Sequence, residues 1–207
     1  MTTIYLIRHA QSEGNLGKCF QGQSDTALTP HGLAQAEALQ ARFREIPLHA
    51  VYASPLSRAV QTAQAVALPH NLTVNIEPGL IEMQGGKMEN MPLATLLEEH
   101  GEQFTLFDQQ PHLFVGLEGT ERITSVYERV IKTMDEIIAR HPGQTVAVVA
   151  HGLPIRCYTC HASAKTIEQL GGVRWAQNTG VFHITHQDGK LALLRENDLS
   201  HLGPDLL

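Results

Sequence analysis

Residues Ile4-Tyr5-Leu6-Ile7 form a short apolar, β-prone run that stops at Arg8-His9 and is followed by the small Ala10. A run of this length bounded by polar residues reads as a buried strand of a parallel sheet, covered on both faces. In open α/β sheets ligands bind at the carboxyl ends of such strands, and that is where Arg8 and His9 fall. An adjacent cation lowers a histidine's pKa and keeps its imidazole neutral, the form a nucleophile needs. Taken alone the dipeptide also fits a solvated turn, so its meaning depends on what the other strands carry.

Those strands alternate with helices. A polar loop from Gln11 to Leu28 leads to Thr29-Pro30, an N-cap and first-turn pair opening a helix. Leu33, Ala36, Leu39 and Phe43 give that helix one apolar face up to about Ile46. Ala50–Ala53 reads as a second strand; Ser54-Pro55-Leu56-Ser57-Arg58 then turns into a helix from Ala59 to about Val66. Leu72–Ile76 is a third strand, and a helix from about Gly119 to His141 ends at Pro142-Gly143. Thr145–Ala150 is the clearest buried strand, ending at His151-Gly152. Gly180–Thr185 and Lys190–Leu194 are strands joined by an Asp188-Gly189 hairpin turn. This order predicts an α/β fold: a mostly parallel central sheet flanked by helices on both faces. A single domain over 1–207 is expected, with a helical lid inserted at about 88–121.

Composition narrows the function. The chain has 207 residues, a formal net charge of −6 and no Lys/Arg block, which argues against a nucleic-acid partner. No apolar run approaches the roughly 20 residues that span a membrane, and the amino terminus runs into the first strand without a basic leader. Three cysteines, an odd number without secretory context, suit a reducing compartment, so the cytoplasm is the expected location. Cys157-Tyr158-Thr159-Cys160-His161 has the spacing of covalent haem attachment. We set that aside, because such attachment implies export and the segment reads as a helix after a buried strand.

What the strand ends carry is the informative fact. Arg8-His9 ends the first, Arg58 follows the second by a few residues, and His151 ends the clearest one. If these ends share one sheet edge, two arginines and two histidines converge. Arginine forks match phosphate oxygens bidentately, so a phosphate is the natural guest. The competing reading makes the arginines surface residues and His151 a strand cap.

Arg8-His9 before a small residue, Ser54-Pro55-Leu56-Ser57-Arg58-Ala59 with Gln61-Thr62-Ala63, and His151-Gly152 resemble the histidine phosphatase superfamily. The similar branch is the one holding cofactor-dependent phosphoglycerate mutases and related small phosphatases. The loop Asn15 to Thr29, with Phe20-Gln21-Gly22-Gln23-Ser24-Asp25 and Leu28-Thr29-Pro30-His31-Gly32, is similar too. The resemblance implies an acid-phosphatase-type phosphomonoesterase without metal or other cofactor, in which His9 carries the phosphoryl group as phosphohistidine. Arg8, Arg58 and His151 would hold the non-bridging oxygens. Asn15, Gln21, Gly22 and Gly152 would line the phosphate pocket, although loop stabilisation explains Asn15 as well. Glu82, in Leu80-Ile81-Glu82, falls in the place of the family's general acid, ahead of Glu89 further on. That acid must be raised above the unperturbed ~4.3 to donate near neutrality.

Departures from the pattern are Ala10 for the usual glycine, Gly14 for a common tryptophan, and Met88 and Asn90 for a tryptophan and glycine near the acid. From Met88 to Glu121 there is no lysine or arginine, while Glu89, Glu98, Glu99, Glu102, Asp108, Glu118 and Glu121 are acidic, with Phe104, Phe107 and Phe114 among them. Such a lid repels a second negative group and favours a neutral, apolar or cationic leaving group, unless these charges merely face solvent. The expected partner is a small phosphomonoester. A phosphoglycerate mutase and a catalytically silent phosphate-binding module remain as alternatives, and the oligomeric state is open, a homodimer included.

Overall fold

The computed structural model describes residues 1–207. Strands β1 (Thr2–Arg8), β2 (Ala50–Ala53), β3 (Val74–Ile76), β4 (Thr145–Ala150), β5 (Val181–Gln187) and β6 (Lys190–Asp198) make one sheet in the order β3-β2-β4-β1-β5-β6. The pairs β3/β2, β2/β4 and β4/β1 are parallel, and β5 and β6 add an antiparallel edge. The Asp188-Gly189 turn takes positive φ at both residues, 51° and 73°, as a tight hairpin requires. Its two strands run longer than the sequence pattern indicated, and β3 is shorter.

Strand alternation divides the core. Ile4, Leu6, Val146 and Val148 face the larger cluster with α5 (Ile123–Arg140) and α6 (Gly152–Ala162), whereas Ile7, Val51 and Val149 face the smaller cluster with Leu39, Phe43, Ala63 and Val66. The latter side chains come from α2 (Pro30–Phe43) and α3 (Ser57–Ala67), so helices cover both faces. Thr29 caps α2 by accepting the Gly32 N–H at 2.9 Å. No side chain of the preceding residue caps α3; the Asp25 carboxylate accepts the Ser57 N–H (2.9 Å) and hydroxyl (2.8 Å) from across the loop. α5 starts four residues later than Gly119, because Gly119 sits at φ +81° in a loop.

The lid is α4 (Leu93–Gln109) with its flanking loops, after the single turn α1 (Glu13–Leu16) placed earlier in the chain. His100 leaves helical geometry (φ −135°), so α4 is broken in the middle and buries only Leu96 fully. Cys157 and Cys160 lie on α6 inside the larger core, and Cys160 Sγ donates to the Thr166 carbonyl at 3.2 Å. No helix is long and apolar enough to cross a membrane.

Candidate active site

Because β1, β4 and β2 are parallel neighbours in register, with Arg8 opposite Ala150 and Ala53 opposite Val149, their carboxyl ends open on one edge. The residue after β1 is His9 and the residue after β4 is His151, and their rings sit 5.1 Å apart between centroids. Arg58 enters from the first turn of α3, only 1% exposed. A cavity of about 410 Å³ opens here, lined at its floor by Arg8, His9, Arg58, Glu82 and Gly152. The sequence-predicted residues Asn15, Gln21 and Gly22 line it as well, while His151 lies just behind His9.

His9 Nδ1 lies 2.7 Å from the Ala10 carbonyl, an acceptor only, so Nδ1 carries the proton and Nε2 keeps its lone pair. Burial depresses its pKa well below the ordinary value, with Arg8 and Arg58 adding repulsion. Burial rather than the adjacent cation is the first cause, which revises the weight that the sequence gave to Arg8. His151 is depressed for the same reason, then by His9 and both arginines, and its Nε2 pairs with Ser54 Oγ at 2.6 Å. Both rings are therefore neutral near pH 7.

The arginines are fixed by main-chain acceptors. Arg8 Nη1 donates to the Ala176 carbonyl at 2.6 Å; Arg58 Nη1 and Nη2 donate to the carbonyls of Ser24 (2.7 Å) and Gly22 (2.9 Å). Burial lowers both pKa values, with Glu82 opposing in each case. Guanidinium stays protonated regardless. The Nε atoms of both arginines, and Nδ1 of His151, are buried without a partner in the chain.

Glu82 sits across from this floor. Its Oε1 accepts the Met83 N–H at 2.8 Å and its Oε2 accepts the Leu153 N–H, in the first turn of α6, at 3.3 Å. Burial still raises its pKa, against those bonds and against Arg58 and Arg129. A pKa raised in this way favours the protonated form that a general acid needs. Glu89 has a different environment: it accepts the N–H groups of Gln23 (2.8 Å), Ser24 (3.0 Å) and Gly85 (2.8 Å) and the Ser24 hydroxyl (2.6 Å). Its oxygens are consumed in holding the loop that presents Gly22. Gly22 itself has φ +47°, and a Cβ there would collide with the Glu89 carboxylate.

Asn15 Oδ1 accepts from the Ser12 N–H (3.2 Å) and hydroxyl (3.1 Å) and from Asn178 Nδ2 (3.1 Å), so its oxygen stabilises the loop while the residue borders the cavity. Gln21 Oε1 accepts from Ser12 Oγ (2.9 Å) and Thr26 Oγ1 (2.7 Å). Gly14 packs against this glutamine side chain, and any Cβ would overlap it, which accounts for glycine there. Ala10 has no positive φ, so an L-residue is accepted; Asn90, in place of glycine, takes φ +62°.

Sequence reasoning missed several residues. Ser54, which orients His151, stood in a quoted motif without a role of its own. Arg129 donates to the carbonyls of Gly79 (2.8 Å) and Glu82 (3.2 Å) and forks onto Glu121 (2.9 and 3.1 Å), bracing the Glu82 segment. On an amphipathic helix it carries no signal that separates it from a solvated charge. Trp175 and Cys19 line the cavity from segments without a readable pattern. No cluster of three or more His, Cys, Asp or Glu side chains is arranged to hold a metal ion.

Comparison with known proteins agrees with this geometry. The model of the histidine phosphatase superfamily (branch 1) matches residues 4–199. Phosphoserine phosphatase 1 of Hydrogenobacter thermophilus is 32% identical over 206 residues, 98% of this chain and 95% of that protein. The "Probable phosphoglycerate mutase GpmB" of Yersinia pestis is 31% identical over 76% of this chain and 73% of its own. The solved structure of Bacillus stearothermophilus YhfR superposes with a TM-score of 0.91 at 28% identity, covering 97% of this chain and 99% of that one. The chain belongs to the histidine phosphatase superfamily, and with relatives of this kind it is a phosphatase of the phosphohistidine type.

Proposed function

We propose that the protein is a metal-independent phosphomonoesterase in which His9 is the nucleophile and Glu82 the general acid and base. The observation that carries this reading is the convergence of a neutral His9, its Nε2 free, with Arg8, Arg58 and a raised Glu82 in one cavity. His9 Nε2 attacks phosphorus, the P–O bond to the alcohol breaks, and the Glu82 carboxyl gives its proton to the departing oxygen. Arg8, Arg58 and His151 take the non-bridging oxygens, where preorganised donors contribute most. Water then attacks the phosphohistidine, the N–P bond breaks, and Glu82 recovers its proton from that water. Inorganic phosphate leaves and the site is restored.

The positive charge comes from two guanidinium groups, so the chemistry needs no metal. The two named relatives act on phosphoserine and, by name, on phosphoglycerate. A mutase must hold its intermediate through reorientation, which takes cations beyond the phosphate site; here the cavity offers Arg8 and Arg58 and no other. We place the protein in the cytoplasm, where its free cysteines stay reduced.

The test is phosphate release from a panel of phosphomonoesters in the presence of a chelator. Wild type releases phosphate, and His9→Ala releases none while binding phosphate. Interconversion of phosphoglycerates without net release, or chelator-sensitive turnover, would overturn the reading.

A further inference from the structure

The lid does not work as its composition suggests. Glu98, Glu99 and Glu102 point to solvent, Glu118 pairs with Lys87, Glu121 with Arg129, and Glu89 is absorbed by the loop. Phe114 is buried in the core. What reaches the cavity is narrower: the rings of Phe20, Phe104, Phe107 and Trp175, the apolar Leu93, and one carboxylate, Asp108.

Trp175 is held from several directions. Its indole N–H donates to Asp108 Oδ1 at 2.8 Å, the Phe107 ring stacks on it at 5.5 Å and 30°, and the Arg156 guanidinium lies 4.4 Å from its ring centre. Arg156, 1% exposed, is anchored by the carbonyls of Val173 (2.8 Å), Gly171 (3.0 Å) and Asp108 (2.7 Å). Its guanidinium lies over the indole and is engaged by these main-chain carbonyls, outside the cavity lining. The outer half of the site is therefore an aromatic slot with a fixed indole wall and one carboxylate, Asp108, which lies 3.7 Å from the Arg156 guanidinium. Its only lining cations, Arg8 and Arg58, lie at the floor and are taken by the phosphate.

From this we infer that the enzyme selects phosphomonoesters whose alcohol is aromatic or carries an ammonium group, and disfavours alcohols bearing a carboxylate or second phosphate. A flat apolar group covers the indole and phenyl rings, and an ammonium gains both the rings and Asp108. A carboxylate in the same place loses its hydration and meets no free cation, because Arg156 is already matched by Asp108. This rests on the phosphomonoesterase reading and adds a preference that differs from phosphoserine.

Pairs of substrates that share leaving-group chemistry test it. For benzyl against 4-carboxybenzyl phosphate, and phosphoethanolamine against phosphoserine, we expect kcat/KM about 10-fold or more in favour of the first, from one unpaired or repelled charge. Asp108→Asn keeps an acceptor for the Trp175 N–H and removes the charge, so the preference for phosphoethanolamine shrinks. Trp175→Ala raises KM for benzyl phosphate more than it lowers kcat. Equal or better turnover of the carboxylated member of both pairs by wild type overturns the inference, whatever the variants do. So does unchanged discrimination in a folded Asp108→Asn protein. Failure to release phosphate from any of the four esters removes the phosphomonoesterase reading instead.

Discussion

Replacing Glu82 by glutamine separates the two proton transfers assigned to it. The amide keeps the shape, but its single oxygen can accept only one of the Met83 and Leu153 N–H bonds that the two carboxylate oxygens take, and it cannot deliver a proton. For an alkyl ester the departing oxygen is a poor leaving group without that proton, and the loss expected for one general acid is about 10²–10⁴-fold, or about 3–5 kcal/mol of barrier. For 4-nitrophenyl phosphate the departing phenolate is stable unprotonated, so the first step is nearly spared. The second step still needs water activation by the same group. The variant should thus give a rapid burst of nitrophenol equal to the enzyme present, then a slow steady state, with phosphohistidine accumulating. Stopped-flow absorbance reads the burst, and phosphorus NMR after an alkaline quench reads the N–P bond. Wild-type rates on alkyl phosphates, or a folded variant that is slow on 4-nitrophenyl phosphate without a burst, would refute the assignment of Glu82 to both roles. The pH profile gives a second check. Burial raises the Glu82 pKa, so wild-type turnover of alkyl esters falls as pH rises through that raised value, and the fall disappears in Glu82→Gln.

Arg129→Met removes the fork onto Glu121 and the bonds to Gly79 and Glu82. Chemical denaturation should show a loss of about 1.5–3 kcal/mol, the scale for hydrogen bonds involving charged groups, and alkyl esters should lose more kcat than nitrophenyl esters because Glu82 is displaced. Equal losses on both esters would make Arg129 a purely structural brace. His9 and His151 both have pKa values depressed in the fold, so the unfolded chain binds more protons than the folded one below the ordinary value. Their contribution to stability is complete above about pH 6.5 and is lost as pH falls from there toward the depressed values. Urea unfolding across that window should show the decline, and His9→Asn should make it shallower.

Much of this was readable in the chain because it rests on short-range chemistry. The runs at Ile4–Ile7 and Thr145–Ala150 are apolar enough to be buried strands, and parallel pairing of buried strands brings their ends to one edge. Thr29-Pro30 and Asp188-Gly189 carry their own conformational signals. What escaped depends on long-range partners. The α3 start is set by Asp25, 32 residues upstream of Ser57. Trp175 becomes a cavity wall only because Arg156, Asp108 and Phe107 surround it. The acidic lid misled for the same reason: counting charges along α4 says nothing about which turn faces inward, and the break at His100 changes the face midway.

The floor of the site is costly to fold, and its cost is specific. Of the seven buried side-chain polar atoms without a partner in the chain, three are Arg8 Nε, Arg58 Nε and His151 Nδ1. Each such atom costs about 1–3 kcal/mol in an apolar setting. Two guanidinium groups side by side add repulsion; burial, reinforced by the arginines, keeps both rings neutral, while burial raises Glu82 against the pull of Arg58 and Arg129. An apolar repacking of the same volume would be more stable, so stability does not explain the arrangement. A tetrahedral dianion does: its oxygens supply acceptors to the unpartnered guanidinium nitrogens, its charge offsets both arginines, and it leaves His9 neutral for attack. The same accounting explains why the outer slot carries no further cation. With Arg8 and Arg58 matched by the phosphate and Arg156 matched by Asp108, a second anion on the substrate has no charge left to meet.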